Sequence, residues 1–91
     1  MNTIKEEIKI TSHFVERYYE RVLGKTPPKM NKRKAGFKMK KINKVVDDML
    51  SKISDRDKTN LLFMKNCKYA KLPFQNNHIV MRNGSMVTIL N

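Results

Sequence analysis

Residues His78–Leu90 read HIVMRNGSMVTIL, two β-rich runs on either side of Asn83-Gly84. Asn-Gly is the preferred pair for a two-residue type I′ turn, because both central residues of that turn need positive φ. The turn implies a register in which Arg82 faces Ser85, Met81 faces Met86, Val80 faces Val87, Ile79 faces Thr88 and His78 faces Ile89. One face of the hairpin then carries Val80, Val87 and Ile89, with His78 and Arg82 at its ends. The other carries Ile79, Met81, Met86, Thr88 and Leu90. We expect Val80, Val87 and Ile89 to face the helices, which leaves Thr88 on the more open side.

Upstream of the hairpin, Leu61-Leu62-Phe63-Met64 is a short apolar run and Lys65-Asn66-Cys67 reads as a turn or bulge. Lys68–Leu72 alternates loosely, and Pro73 with Gln75-Asn76-Asn77 breaks the pattern. Residues 61–90 therefore read as about four antiparallel strands. The first half is helical. Ile42, Val45, Val46, Met49, Leu50 and Ile53 recur at 3.6-residue spacing, which predicts a helix over 42–53 whose Met-bearing stripe is core. Ser54-Asp55-Arg56-Asp57 is read as its end. Residues Thr11–Gly24, TSHFVERYYERVLG, predict an earlier helix over 12–23. Phe14, Tyr18 and Val22 stand at i, i+4 and i+8, with Val15 and Leu23 beside them. Thr11 or Ser12 can cap its start and Gly24 can stop it.

Residues 25–41 form a basic loop or helix, opened by Lys25-Thr26-Pro27-Pro28-Lys29, where proline removes donors and excludes helix. Residues 1–10 are a polar arm in which Ile4, Ile8 and Ile10 hint at an edge strand. Helices followed by strands predict an α+β fold, with two N-terminal helices on one face of a C-terminal antiparallel sheet of about four strands. At 91 residues the whole chain is one domain.

Apolar residues are 40% of the chain, enough for a folded core. Lys and Arg number 20 against 8 Asp and Glu, a formal charge of +12. Such an excess repels itself and points to a polyanionic partner. It is concentrated. No acid lies between Glu20 and Asp47, a window holding Lys32, Arg33, Lys34, Lys38, Lys40 and Lys41, and none lies beyond Lys58. Cys67 is the only cysteine, so no intrachain disulfide forms, and no Cys/His set has metal-ligand spacing. No metal and no cofactor are expected. No run approaches the ~18 apolar residues of a membrane span. The N-terminal MNTIKEEIKIT lacks a signal-peptide layout, so the expected location is the cytoplasm, with no membrane partner.

His13, Arg17 and Arg21 form a polar stripe beside the apolar one. Two readings stand open: a solvated helix face, or an anion site. Arg17, Arg21, Lys71 and Arg82 are candidates for phosphate, because guanidinium forks match phosphate oxygens. The lysine-rich window would add sequence-independent attraction. Tyr18, Tyr19, Tyr69 and Phe74 are available to stack on bases, Tyr18 being the better core residue and Tyr69 evenly balanced. Cleaving RNA without a metal needs a base for the 2′-hydroxyl, a cation for the phosphorane and an acid for the leaving oxygen. His13 and His78 are the only histidines, and Thr88 can donate to a phosphate oxygen.

The His-x-x-x-Arg-x-x-x-Arg helix at His13, Arg17 and Arg21, two helices ahead of a sheet, and a last hairpin ending Val87-Thr88-Ile89-Leu90 together resemble the barnase–EndoU–colicin–RelE-like superfamily of small toxin ribonucleases, phage and mobile-element relatives included. The match covers the two ends of the chain. It does not include the lysine-rich segment. The resemblance implies an RNA-binding or RNA-cleaving domain whose site is lined by His13, Arg17, Arg21 and Thr88, and more loosely by Lys71 and Arg82. RNA is then the partner, alongside a neutralising or target protein. The alternative is a non-catalytic phage or mobile-element inhibitor, anti-CRISPR-like, that occupies a nucleoprotein complex through its lysine-rich surface.

Overall fold

Thr11 is where the fold is tied together. In the computed structural model, which describes Ile4, residues 7–27 and residues 35–91 (of 35–38 the backbone only), its hydroxyl accepts the Phe14 N–H at 3.1 Å. That cap starts helix α1, Ser12–Tyr18, which runs on as one π-helical turn, Tyr19–Leu23. Gly24 closes it at φ +65, a left-handed conformation that glycine adopts without steric cost. The predicted span of 12–23 is thus observed, though not its π-helical end.

Helix α2, Ala35–Ser51, starts upstream of the predicted residue 42, so the last part of the basic 25–41 segment is helical. Its apolar stripe buries Val45, Val46 and Met49. Residues 28–34, with Lys32, Arg33 and Lys34, lie outside the described residues.

Helix α3, Asp55–Met64, corrects the sequence reading twice. Ser54–Asp57 does not simply end α2. Ser54 is an N-cap accepting the Asp57 N–H at 3.2 Å, and Asp55 and Asp57 place negative charge at the positive end of the new helix. Leu61–Met64 is then helix, not strand. A four-residue apolar run has no period of its own. Here the cap decides, burying Leu61 and leaving Phe63 71% exposed.

Among the described residues, three helices pack against a four-stranded mixed sheet, an α+β fold as expected. The strands are β1 (Lys9–Ile10), β2 (Tyr69–Phe74), β3 (Asn77–Arg82) and β4 (Ser85–Leu90), in the order β1-β4-β3-β2. Residues 61–90 supply three strands, all antiparallel. The fourth is the hinted N-terminal edge strand, and it runs parallel to β4. Ile4 and Ile8 are not part of its alternation. The Ile8 N–H donates to the Ile4 carbonyl at 3.0 Å, and both side chains are buried in the core.

The Asn83-Gly84 turn forms as predicted, with positive φ at both residues. The register holds for Arg82↔Ser85 and Met81↔Met86, then slips by one: Val80 pairs with Thr88, Ile79 with Ile89 and His78 with Leu90. Val87 is the extra residue of a β-bulge. The bulge lets Met86 and Ile89, three apart, face the same side as Ile79 and Met81, and that side is the core. The expected faces are therefore corrected. Ile79, Met81, Met86 and Ile89 meet the helices, while Val80 leaves that cluster. Thr88 does lie on the face away from the core, because of the bulge.

Helix α1 runs along the outer margin of β4. At one end the Thr11 N–H donates to the Met86 carbonyl, and the Thr11 hydroxyl lies 3.2 Å from the carbonyl oxygens of Met86 and Val87. At the other end the Arg21 guanidinium donates to the Ile89 carbonyl, and the Asn77 amide donates to the Arg21 carbonyl at 3.4 Å. Beneath, Tyr18 donates its hydroxyl to Asp48 of α2 at 2.5 Å, and Lys52 pairs with the same carboxylate at 2.8 Å. Burial alone would push the Asp48 carboxyl up. The hydrogen bonds from Lys52 and Tyr18, with the charges of Lys52 and Lys25, outweigh it and hold the carboxyl below its usual range. The Tyr18 phenol is driven strongly upward, first by burial and then by Asp48.

Candidate nucleic-acid interface

The core takes alternate residues of each strand, so the others stand on the open face of the sheet. The pairing sets them in three rows: Tyr69–Arg82–Ser85, Lys71–Val80–Thr88 and Pro73–His78–Leu90. The first row carries an aromatic ring and a guanidinium, and the second an ammonium and a hydroxyl. The third carries an exposed imidazole between Pro73 and Leu90.

All three rows contribute to a hollow that α1 also reaches. A concavity of about 310 Å³ is lined by Tyr69, Arg82, Val80, Thr88 and Leu90, with Val87 from the bulge and His13 from the first turn of α1. His13 reaches it because Thr11, two residues before, is fixed to the bulge carbonyls. Val80 and Leu90 supply apolar floor. No lining residue is a carboxylate. His13 is the one imidazole among the lining side chains.

Tyr69 is 48% exposed. The Arg82 Cζ stands 5.2 Å from its ring centroid and the Lys71 Nζ 5.9 Å, both within the ~6 Å reach of a cation–π contact. Among the described residues neither cation is ion-paired to a carboxylate. No acid occurs beyond Lys58, and the one ion pair that a residue of that stretch makes among the described residues is Lys65 with Glu7, at 3.2 Å.

Of the residues singled out in the sequence, His13, Arg82 and Thr88 are brought to one concavity, and Lys71 stands beside it. Arg17 and Arg21 are placed differently. Arg17 pairs with Glu20 at 2.5 Å, one turn along the helix. Arg21 is held by the Ile89 carbonyl, capping the margin of β4 beyond its pairing with β1. Lys40 is exposed on α2 and Lys41 half-buried there, in the helical layer across the core from the open face; the side chain of Lys38 lies outside the described residues. Tyr18, Tyr19 and Phe74 are buried, which leaves Tyr69 as the stacking candidate that stays accessible. The alternation that buries Leu72 and Phe74 turns Tyr69 outward, but only once β2 is known to begin at Tyr69.

Other features are neutral. Among the described residues, no group of His, Cys, Asp and Glu is arranged to hold a metal ion, and no helix is long and apolar enough to cross a membrane. A second concavity between the π turn and α2, lined by Tyr19, Leu23, Lys25, Lys44, Val45, Asp47 and Asp48, mixes both signs of charge. In comparisons with known proteins, no family model, no curated protein and no solved structure matches the chain.

Proposed function

We propose that the protein binds RNA on the open face of its sheet and cleaves it with its own side chains, His13 acting as the general acid or base. The observation that supports this most is the meeting of His13, Arg82 and Thr88, from three different elements, around one concavity beside Tyr69. In that reading a phosphodiester sits in the concavity. Arg82 faces its oxygens with a planar fork, and Lys71 adds charge from the neighbouring row. As negative charge grows on the phosphorane, both cations bind it more strongly than the ground state, which lowers the barrier. The Thr88 hydroxyl donates to a phosphate oxygen. His13 moves a proton between the 2′-hydroxyl or the leaving oxygen and solvent. Arg17 and Arg21, first considered as phosphate ligands, act in this scheme through the helix: Arg21 holds α1 to β4 and so holds His13 in place.

The test is incubation of mixed cellular RNA with wild type and His13→Ala in EDTA. Wild type is expected to cleave, and the variant to lose about 10²–10⁴-fold in rate while keeping its circular dichroism and its RNA affinity. Cleavage that survives in His13→Ala removes the assigned role. Wild-type protein that binds RNA and leaves it intact removes the enzymatic part. That outcome favours a binding module that occupies a nucleoprotein complex.

A further inference from the structure

We infer that Tyr69 is the platform for one unpaired base of a single-stranded polynucleotide, with Lys71 and Arg82 holding the phosphates beside it. This inference rests on the reading of the open face as a nucleic-acid surface, and names the form of nucleic acid it takes.

Tyr69 opens an edge strand, and its ring has no place in the core that Leu72 and Phe74 enter from the same strand. What stands against the ring is two long cationic side chains, both on exposed residues. Such side chains rearrange readily, so the ring is accessible to a flat ligand. They also repel each other, and no carboxylate among the described residues offsets them. A ligand that is aromatic in one part and anionic in the next satisfies the ring and both cations together. A nucleotide unit has that composition.

The layout suits a strand passing across the sheet. Lys71 lies about 6.6 Å from Tyr69 along β2, and Arg82 about 4.8 Å away across the ladder. Cations therefore flank the ring on two sides, within the span of one nucleotide. The concavity that Tyr69 and Arg82 share with His13 has about 310 Å³, the room of a single small ligand. A base on Tyr69 thus neighbours the phosphate offered to His13.

A duplex does not fit this arrangement. Its bases are stacked on one another and present no face to a ring. The ~12 Å major groove admits a helix or a two-stranded ribbon, whereas this face belongs to a four-stranded sheet.

The experiment is a fluorescence-anisotropy titration with three labelled probes: a short 2′-O-methyl RNA (which lacks the nucleophilic hydroxyl), the same sequence as single-stranded DNA, and its duplex. Wild type, Tyr69→Trp, Tyr69→Leu and Tyr69→Ala are compared at fixed salt. Both single strands are expected to bind at least about 10-fold tighter than the duplex, and Tyr69→Ala to weaken them about 5- to 150-fold. Tyr69→Trp should keep the affinity and Tyr69→Leu should lose it, because bulk without a π-face does not stack. Lys71→Ala should lower the salt slope by about 1. Equal affinity for the duplex, or single-strand binding blind to Tyr69, overturns this inference alone. A wild-type protein that binds none of the probes overturns it together with the reading beneath it.

Discussion

The two faces of the β3–β4 hairpin are built from alternate residues of the same strands. On one, Ile79, Met81, Met86 and Ile89 are fully buried under the helices. On the other, His78, Arg82 and Leu90 are exposed around a half-buried Thr88, with Val80 the buried floor between them. The first face decides whether the chain folds, because each of its side chains removes a large apolar area from water. The second contributes little to folding, and its composition of ring, cations, hydroxyl and imidazole is free to serve a ligand. One inserted residue, Val87, separates the roles, since it moves Thr88 out of line with Met86.

The comparison is broken most directly by truncation on the buried side. Met81→Ala and Ile79→Ala are each expected to lower stability by about 2–5 kcal/mol, measured by urea unfolding. A loss under about 1 kcal/mol would mean that this face is not the core. Next comes the seam between the faces. Thr11→Ala removes the cap of α1 and the hydroxyl at the bulge, so it is expected to cost about 0.5–2 kcal/mol. It should also raise amide exchange at Met86–Thr88, which a simple cap deletion on an unattached helix would leave alone.

The Tyr18–Asp48 tie gives a smaller effect that depends on pH. The Asp48 carboxyl is held below its unfolded range, so its contribution is present above about pH 4 and fades as the pH falls through the lowered folded value. The Tyr18 phenol is raised, so its contribution is present below about pH 10 and fades above it. Tyr18→Phe should cost about 1–2 kcal/mol at neutral pH and remove the alkaline loss. Asp48→Asn should flatten the acid side of the urea-midpoint profile. If both profiles match wild type, the tie does not form in solution. The smallest effect belongs to the open face, where Arg82→Ala is expected to stay within about 0.5 kcal/mol of wild type. A larger loss would show that this side also carries the fold.

Local chemistry made much of this legible in advance. Asn83-Gly84 specifies its turn because few residues tolerate two positive φ angles in succession. Thr11 and Gly24 mark the ends of the first helix for similarly local reasons, and the spacing from Ile42 to Leu50 marks a helix face, although the helix ends at Ser51, short of the predicted Ile53. Ser54-Asp55-Arg56-Asp57 carried a start signal as clear as Thr11, although read as an end, because the apolar run after it looked like a strand.

By itself, then, the sequence determined the α+β class, the hairpin turn, the span of the first helix and an excess of positive charge, with no Asp or Glu after Lys58. Each follows from interactions within a few residues, or from composition. The tertiary structure decided the rest. It brought Lys9–Ile10 in as a parallel neighbour of β4, placed the bulge at Val87, turned Arg21 inward to the Ile89 carbonyl and left Tyr69 outside. These depend on partners far apart in the chain, up to 76 residues for Thr11 and Val87. A ladder shifted by one residue uses the same local propensities and reverses every side chain beyond the shift. With the bulge at Val87, Met86 and Ile89 both enter the core, and Thr88 is left on the other face, where it lines one concavity with His13.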